Sequence, residues 1–437
     1  MRNICSGFRL AAILSLAGCS GGGGVYEGIP NTRDFPLSES VLKGYLEKND
    51  IRSMRQHAWV IFGALTEPSR RDRRFARWQT WYDKSEALAP SPASHNEIRL
   101  QLSYFDGSLQ GGAASRPVPR NPPAGSVPLE SLQVVFNREA YEAIQGARLY
   151  SVGTFQDCLR KQVHDIPDSV FPPSSIAIKA VWDYVSDGEP KKIFVWDGER
   201  SAPGIEVNSN LSRKVCVAAD AGLCPQGPGE PEFRSVRSFY NVRLDGFSTV
   251  RSDWFPSGPI PKGYAILTGL HFATREQKNW VWATFWWHDH SDRQPFADGR
   301  PSSIRGVWRN YLMTVSYDMD KPREPDGKPH IAFNPYLEAR FPDGVESNCM
   351  SCHRRASWIA GGDPRVPYLS STGRVWDSDL RGAVVRGKAA AEATYFDTPF
   401  DSPERFKVSF LWSLTKPKDG SGSCPVEPSP PAVQPRP

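Results

Sequence analysis

Residues 263–272, GYAILTGLHF, and residues 279–288, NWVWATFWWH, decide the fold class of this chain. Both are short, rich in β-branched and aromatic residues and bounded by turn-forming residues, which is typical of β-strands. Side chains along a strand point alternately to opposite faces of its sheet. The residues that would share one face at the second stretch are Trp280, Trp282, Thr284, Trp286, His288 and His290. The pattern therefore predicts an aromatic wall that ends in imidazoles, with a sandwich core and a histidine-containing turn as the alternative.

Segments of similar character surround these two stretches. They are SSIAIKAVW, KKIFVW, KVCVAA, VRSFYNVRL and YLMTVSY, and they predict strands of a mostly antiparallel sheet or sandwich. Helical spacing of apolar residues marks 37–89 instead, and also 131–149. Further helices are expected at 335–345 and 381–395. We therefore predict an α+β fold with helical N-terminal and C-terminal regions around a β-rich, sandwich-like middle.

The first twenty residues read MRNICSGFRLAAILSLAGCS. Two arginines precede an apolar run, Leu10 to Ala17, that is far shorter than the roughly 20 residues needed to span a bilayer. This is the pattern of an export signal. The run ends in Leu-Ala-Gly-Cys19, which is similar to the bacterial lipobox, so we expect cleavage before Cys19 and a lipid on its thiol. An ordinary signal peptide that carries a cysteine is the alternative.

The expected lipid places the protein at a membrane. Residues 20–24, SGGGG, suit a flexible tether, and Ser20 after the modified cysteine favours the outer membrane of a Gram-negative host, facing the periplasm. The formal net charge is +5, and no basic stripe interleaves with aromatic residues, so nucleic acid is not an expected partner. The densest basic run, residues 70–77, predicts a solvated helix face, with an anionic partner as the alternative.

The chain has eight cysteines. Cys5 would leave with the signal, Cys19 would be lipidated, and two more belong to a CxxCH motif. The four that remain are Cys158, Cys216, Cys224 and Cys424. An even remainder in an exported protein indicates disulfides. Three pairings are possible; the short loop favours one bond within 216–224, which leaves a second that ties the C-terminal tail to the body.

The segment SNCMSCHRRA contains Cys349-x-x-Cys352-His353. Two thiols at this spacing can each add to a haem vinyl group, and the adjacent imidazole can bind the iron as its proximal ligand. A half zinc site would need a second Cys or His pair, which the sequence lacks, and a disulfide between the two cysteines is the other alternative. We predict one covalently bound haem c.

The distal iron ligand must lie upstream, because no methionine or histidine follows His353. The candidates are Met54, Met313, Met319, His57, His95, His164, His271, His288, His290 and His330. Strand alternation narrows this set to His271 or His288. His271 shares a face with Ala265, Leu267 and Gly269, which leave room for a flat ligand; a hydrogen-bonded core histidine is the alternative.

Seven segments, taken in order, carry a resemblance. They are FARWQTWYDKSEAL, VVFNREAYEAI, SSIAIKAVW, LTGLHFATREQKNWVWATFWWHD, NPYLEARF, SNCMSCHRRA and FKVSFLWSL. The set resembles a family of large bacterial c-type cytochrome-like proteins of poorly defined activity. The resemblance implies haem attachment at the CxxCH motif and places His271 and His288 where relatives carry histidine. Trp287 departs from the family, which has an acidic residue there, and this departure bears on the ligand role of His288.

The predicted organisation follows from these segments. The boundaries are 1–18 for the lipoprotein signal peptide, 19–36 for the tether, 37–173 for a mainly helical region with a Gly/Pro loop, 174–325 for the β-rich region, 326–423 for a cytochrome c-like haem-binding region, and 424–437 for a Pro-rich tail. Motifs of hydrolases, P-loop proteins and dinucleotide-binding enzymes are missing from the sequence.

Three functions are compatible with the motif. The first is single-electron transfer to a redox partner protein or small molecule, with no catalytic residue assigned. The second is a haem oxidoreductase with an open or displaceable distal site, in which His288, Asp289 or His290 acts as the distal acid or base. The third is a Trp-rich binding or sensor module, which exposure of Trp280 or Trp286 would favour.

Overall fold

The computed structural model describes residues 25–30, 32–91, 95–98, 100–104, 131–197, 212–244, 250–252, 262–318, 321–325, 327, 330–337, 348–353, 356–360, 405–415 and 417–425. This part of the chain has a mixed α/β fold with a large, mainly antiparallel sheet and few helices, which confirms the predicted β-rich middle. The export signal, the lipidation site at Cys19, the helix expected at 381–395 and most of that expected at 335–345 lie outside the described residues.

The helices are short apart from one. The α-helices of the described residues are α1 (Glu39–Lys48), α2 (Ile51–Thr66), α3 (Lys84–Ala87), α4 (Arg138–Gly146), α5 (Val152–Arg160) and α6 (Cys349–His353). The 3₁₀ turns are Arg77–Thr80, Ala221–Leu223, Val236–Ser238, Gly306–Asn310 and Trp412–Leu414. Side-chain caps fix three of the starts. Asp50 accepts a hydrogen bond from the Ser53 amide at α2, Asp83 from the Ser85 amide at α3, and Asn137 from the Ala140 amide at α4.

Nine of the described strands form one sheet. The strands are β1 (Tyr82–Asp83), β2 (Leu100–Tyr104), β3 (Ser131–Phe136), β4 (Ile176–Ser186), β5 (Lys191–Trp196), β6 (Ser212–Ala218), β7 (Glu232–Ser235), β8 (Asn241–Arg243), β9 (Val250–Ser252), β10 (Gly263–Thr274), β11 (Val281–Trp287), β12 (Tyr311–Ser316), β13 (Ser357–Ile359) and β14 (Arg405–Lys407). The main sheet runs β12-β11-β10-β4-β3-β2-β9, with β1 beside β3 and β8 beside β10. Strands β5 to β7 form a separate sheet, and β13 pairs with β14.

The two faces of the main sheet have different coverings. Phe285 of β11 packs against α2, with its ring centroid 4.0 Å from that of Phe62. We call this side the α2 face. Trp282 points the other way and packs against His353 of α6, with centroids 4.2 Å apart. We call that side the motif face, and it carries the candidate site.

Three sequence predictions need correction. Residues 131–149 are not one helix: β3 occupies the first six, because it pairs with β4 (Gln133 opposite Ala180), and α4 begins after the Asn137 cap. Residues 73–88 form only a 3₁₀ turn, β1 and α3. Tertiary pairing has overridden local helix preference in both segments. Strands β1 to β3 lie within 37–173, so the sheet extends beyond the predicted 174–325.

The arginine run is not a helix face. Its first four arginines lie on an exposed loop that precedes the 3₁₀ turn at residue 77. Arg77 is buried, donates to the carbonyl oxygen of Ala64 and pairs with Glu67. The predicted helix face is therefore wrong for this arginine run. Its last member, Arg77, instead holds the loop against the end of α2.

Two disulfides are present within the described residues. Cys158 of α5 is bonded to Cys424, 266 residues away, and Cys216 of β6 to Cys224. The amide of Cys424 also donates to Asp157 Oδ2 over 2.8 Å. These are the pairs that the short loop favoured, and the first holds segment 417–425 against α5.

Candidate functional site at the CxxCH helix

Helix α6 places the motif on the motif face of the sheet. Met350 is fully buried in a cluster with residues of α5, β13 and β14. Cys349 is half-buried and takes part in neither disulfide; its Sγ lies 4.0 Å from the carbonyl oxygen of Ala332. Cys352 belongs to α6, and its side chain lies outside the described part of the structure. Met350 thus anchors the helix in the core, while the Cys349 side chain is partly exposed to solvent.

The imidazole of His353 is held in one tautomer. Its Nδ1 lies 2.8 Å from the carbonyl oxygen of Phe410. A carbonyl can only accept, so Nδ1 carries the proton and the lone pair is on Nε2. Burial lowers the pKa of His353 to about 4, with a smaller contribution from Lys179 in the same direction. The ring is therefore neutral near pH 7, which is the form that binds a metal.

The acceptor of this hydrogen bond sits in an unusual turn. Ser409 and Phe410 have φ values of 47° and 65°, and the Leu411 amide donates to the carbonyl oxygen of Val408 over 3.0 Å. Two consecutive positive φ values are typical of type I′ turns, which Gly, Asn and Asp dominate. For other L-residues this conformation costs on the order of 1 kcal/mol each. The turn is therefore strained.

A row of side chains, half-buried apart from the fully buried Thr284, crosses the motif face beside His353. Val134, Lys179, His271 and Thr284 occupy opposite positions on β3, β4, β10 and β11. Residues directly opposite in antiparallel strands point to the same face. Trp282 belongs to the adjacent row, opposite Ala273. His271 and the indole that carries the His353 ring are therefore diagonal neighbours.

His271 stands in an electropositive neighbourhood. Desolvation lowers its pKa well below the ordinary value, and the positive charge of Lys179 acts in the same direction, as would a proton on His353. Both imidazoles are half-buried. The structure brings together His271 and His353, which are 82 residues apart in sequence.

His288 lies elsewhere. It is fully buried beyond the end of β11, six residues from Trp282, or roughly 20 Å along the chain. The His290 amide donates to its Nδ1 over 2.9 Å, so Nε2 carries the proton and faces Asp197 Oδ1 at 3.2 Å. Desolvation lowers the pKa of His288 to about 4 despite the nearby carboxylates of Asp197 and Asp289.

The surroundings of His288 form a charged network. Asp289 pairs with Arg213 and with Arg234, and Arg213 Nε also contacts Asp197 at 2.8 Å. These arginines come from β6 and β7. The network thus joins the three-stranded sheet to the end of β11, which explains His288 and Asp289 as structural residues. Neither lies beside His353.

The other distal candidates are placed away from α6 or tied into separate contacts. His57 contacts Glu276 and Tyr317, His95 contacts Glu86, and His330 contacts Thr314 and Glu324. His164 and His290 are exposed, and Met54 and Met313 are in the core of the α2 face. Met319 lies outside the described residues.

The aromatic wall is buried. Trp280 and Trp286 are 0 % and 1 % exposed, so neither forms an open binding platform. Trp280 and Trp282 instead contact the turn at 409–410 and His353. Strand alternation could place Trp282 on a face, but the partners on that face depend on contacts between distant parts of the chain. Lys179 and Phe410 gave no signal of their own in the sequence.

The residues present fit a covalently attached haem. His353 offers a neutral imidazole with its Nε2 lone pair available by tautomer, and a backbone carbonyl holds the other nitrogen, as second-shell partners of metal-binding histidines do. Cys349 lies on the same short helix with its thiol outside both disulfides. A second imidazole, that of His271, is on the same side of the sheet.

Comparisons of the chain with models of protein families, with curated proteins and with solved structures gave no match. Within the described residues, no helix has the length and apolar character required to cross a membrane. A cluster of three or more His, Cys, Asp or Glu side chains arranged to hold a metal ion was not found in the same part of the chain.

Proposed function

We propose that this protein binds one haem c covalently through Cys349 and Cys352, with His353 as the proximal and His271 as the distal iron ligand, and that it transfers single electrons. The observation that carries the proposal is the hydrogen bond from His353 Nδ1 to the Phe410 carbonyl. It fixes the tautomer that a proximal ligand needs. In this proposal the segment around the motif is a cytochrome c-like region near the C-terminus, with helical regions at both ends of the chain.

The bound haem would supply a one-electron Fe(III)/Fe(II) couple. The protein residues would set its environment. Cys349 and Cys352 would hold the macrocycle on α6, Trp282 would support the ring of His353, and the imidazole of His271 would be the second iron ligand. Two imidazole ligands leave no position for a substrate, which favours electron transfer over catalysis.

The choice of His271 over His288 rests on position. His271 is diagonal to the Trp282 that contacts His353, so these two imidazoles would be able to bind the same haem iron. His288 is about 20 Å further along the chain and its Nε2 proton faces Asp197. Its charged network supports a structural role.

A haem oxidoreductase is the second candidate. His271 is half-buried and stands opposite Lys179, so displacement of His271 would open a coordination position beside a side chain able to carry a proton. A redox partner protein or a small molecule would then react at this side. His288, Asp289 and His290 are too distant for the acid or base in this version.

Attachment is tested on protein matured in a host that installs c-type haem. We expect haem to stay with the denatured chain in the wild type and to be lost in a Cys349→Ala/Cys352→Ala variant. Cys216→Ser/Cys224→Ser is the matched control, since it removes two cysteines far from the motif and should retain haem. Absence of covalent haem in the wild type would refute the proposal.

The spectrum separates the two functions. Sharp low-spin bands that do not respond to carbon monoxide, with a reversible one-electron redox titration, are expected for electron transfer. High-spin bands that shift with carbon monoxide would place the oxidoreductase first.

We also propose that the protein is exported and held by lipid on Cys19 at the periplasmic side of a bacterial outer membrane. The support is the sequence Leu-Ala-Gly-Cys19 and the tether that follows it. Mass analysis of the N-terminal peptide should find an acylated cysteine, and Cys19→Ser should release the protein from membranes. An unmodified N-terminus upstream of Cys19 would contradict this.

A further inference from the structure

We propose that the turn at Ser409-Phe410 is a positioning device for His353, built with a strained backbone so that the Phe410 carbonyl meets the Nδ1 proton. The inference rests on the proposed haem function and extends it to residues outside the CxxCH motif. Ser409 and Phe410 would be positioning residues, since neither needs to touch the cofactor.

The first argument is the identity of the turn residues. Both φ values are positive, at 47° and 65°, in a two-residue turn closed by the hydrogen bond from Leu411 to Val408. Glycine adopts this backbone without steric cost and phenylalanine does not. Strained conformations persist where the surroundings over-determine them, and they cluster at functional sites. Here the strained residue is the one whose carbonyl oxygen accepts from His353.

The second argument is a closed circuit of hydrogen bonds between α6 and the turn. The Ala356 amide donates to the carbonyl oxygen of His353, and the Val408 amide donates to that of Ala356, each over 3.0 Å. The Phe410 carbonyl then accepts from the His353 ring. The turn is thus connected both to the backbone and to the side chain of the same histidine. A displacement of the turn would change the orientation of the ring.

The third argument is the support from the start of β11. The Trp280 indole donates to Ser409 Oγ over 3.2 Å, and Trp280 itself has a positive φ of 59° and is fully buried. The Trp282 ring contacts His353 at 4.2 Å and lies 6.5 Å from the Phe410 ring. Neighbouring indoles therefore contact the turn and the imidazole it positions.

The experiment compares Phe410→Gly with Phe410→Val. Glycine removes the same ring contact but keeps the positive φ, so the carbonyl stays in place. Valine is β-branched and disfavours this backbone, so the turn should rearrange and the carbonyl should leave His353. In the haem-loaded protein, a proximal imidazole without this acceptor is a weaker donor to Fe(III). We expect a higher reduction potential for Phe410→Val than for Phe410→Gly, which should stay near the wild-type value.

Nitrogen-15 NMR of labelled histidine gives a second readout that does not need haem. We expect the Nδ1-protonated tautomer of His353 in the wild type and in Phe410→Gly, and a mixture of tautomers in Phe410→Val. If haem never attaches, the proposed function fails while this measurement still tests the turn. Equal tautomers and equal potentials in both variants would overturn the inference.

Trp280→Phe serves if Phe410→Val does not fold. It removes the hydrogen bond to Ser409 while retaining an aromatic ring in the core. We expect a change of potential and of His353 tautomer in the same direction as for valine, but smaller. A wild-type reduction potential together with a wild-type His353 tautomer in Trp280→Phe would show that the turn does not depend on this hydrogen bond. That result would overturn the inference.

Discussion

The ring of His353 lies against that of Trp282, with centroids 4.2 Å apart. Trp282 is near the start of β11 and His288 follows its end, so one contact fixes which end of the strand faces the CxxCH helix. On the neighbouring strand the histidine closest to this contact is His271, one row away. This single side-chain contact thus distinguishes His271 from His288 by their distance from the CxxCH helix, which strand alternation alone could not do.

The first prediction concerns the distal ligand. His271→Ala should convert the haem from low-spin to high-spin and allow carbon monoxide to bind, because the sixth position would open. His288→Ala should leave the low-spin spectrum unchanged but lower the free energy of unfolding by about 3 kcal/mol, since it removes a fully buried imidazole and leaves the His290 amide without its acceptor. Absorption spectra and denaturant titrations of both variants check this. The reverse assignment of spectra would refute the ligand role of His271.

The second prediction is the pH dependence caused by His288. Its folded-state pKa is about 4, against about 6.5 in an unfolded chain. Below pH 6.5 the unfolded chain binds a proton that the folded chain does not, so stability falls with pH until about 4. The contribution of His288 is present above pH 6.5, and its loss is on the order of 3 kcal/mol across this window.

The measurement is the unfolding free energy of His288→Gln between pH 4 and 7.5. Since His271 and His353 also have lowered pKa values, the quantity compared is the slope relative to the wild type. We expect a shallower slope for His288→Gln. The matched control is His290→Gln, an exposed neighbour, which should keep the wild-type slope. Identical slopes for all three proteins would contradict the prediction.

The third prediction compares the disulfides. The bond between Cys158 and Cys424 closes a far longer loop than that between Cys216 and Cys224. In the chain-entropy description its removal should cost about 3 kcal/mol more. Cys158→Ser/Cys424→Ser should therefore have the lower unfolding midpoint of the two double variants. Equal losses would indicate that residual structure or strain outweighs loop length.

The sequence was most informative where local pattern and tertiary context agree. Strands β10 and β11 follow directly from alternation and β-branched content. Counting cysteines left three possible pairings, among which the short loop at 216–224 favoured the one observed. Residues 131–136 were predicted as helix from their local pattern but form a strand. The pairing of β3 with β4 outweighs a helical pattern that continues into α4. The lesson is that helical spacing across an Asn cap such as Asn137 does not establish one helix.

At the candidate site, too, local sequence pattern could predict some residues and not others. The CxxCH spacing predicts His353 as an iron ligand without any structure, whereas the choice between His271 and His288 needs strand register and the position of α6. The partners of His288 come from β6, β7 and residue 197, which no spacing rule connects to it. Phe410 contributes through its carbonyl oxygen, a group that every residue has, so its side-chain identity could not reveal the role.

The last prediction concerns the close approach of Gly269 to Asn334 on the motif face. A Cβ at Gly269 would lie 2.8 Å from Asn334 Nδ2. That amide cannot move easily, because it donates to Thr284 Oγ1 and to the Phe285 carbonyl, each over 2.9 Å. Gly269→Ala should therefore lower the free energy of unfolding by about 1–3 kcal/mol.

A double-mutant cycle shows whether this contact is the cause. Asn334→Ala alone loses hydrogen bonds, but it also removes the atoms that the new methyl would meet. The double variant should therefore lose less unfolding free energy than the sum of the losses in the two single variants. Gly146→Ala is the control, because a Cβ there meets nothing within 4 Å and should be neutral or stabilising. Additive losses for Gly269→Ala and Asn334→Ala would mean that the methyl clashes elsewhere. Asn334 would then not be what limits position 269 on the strand that carries His271.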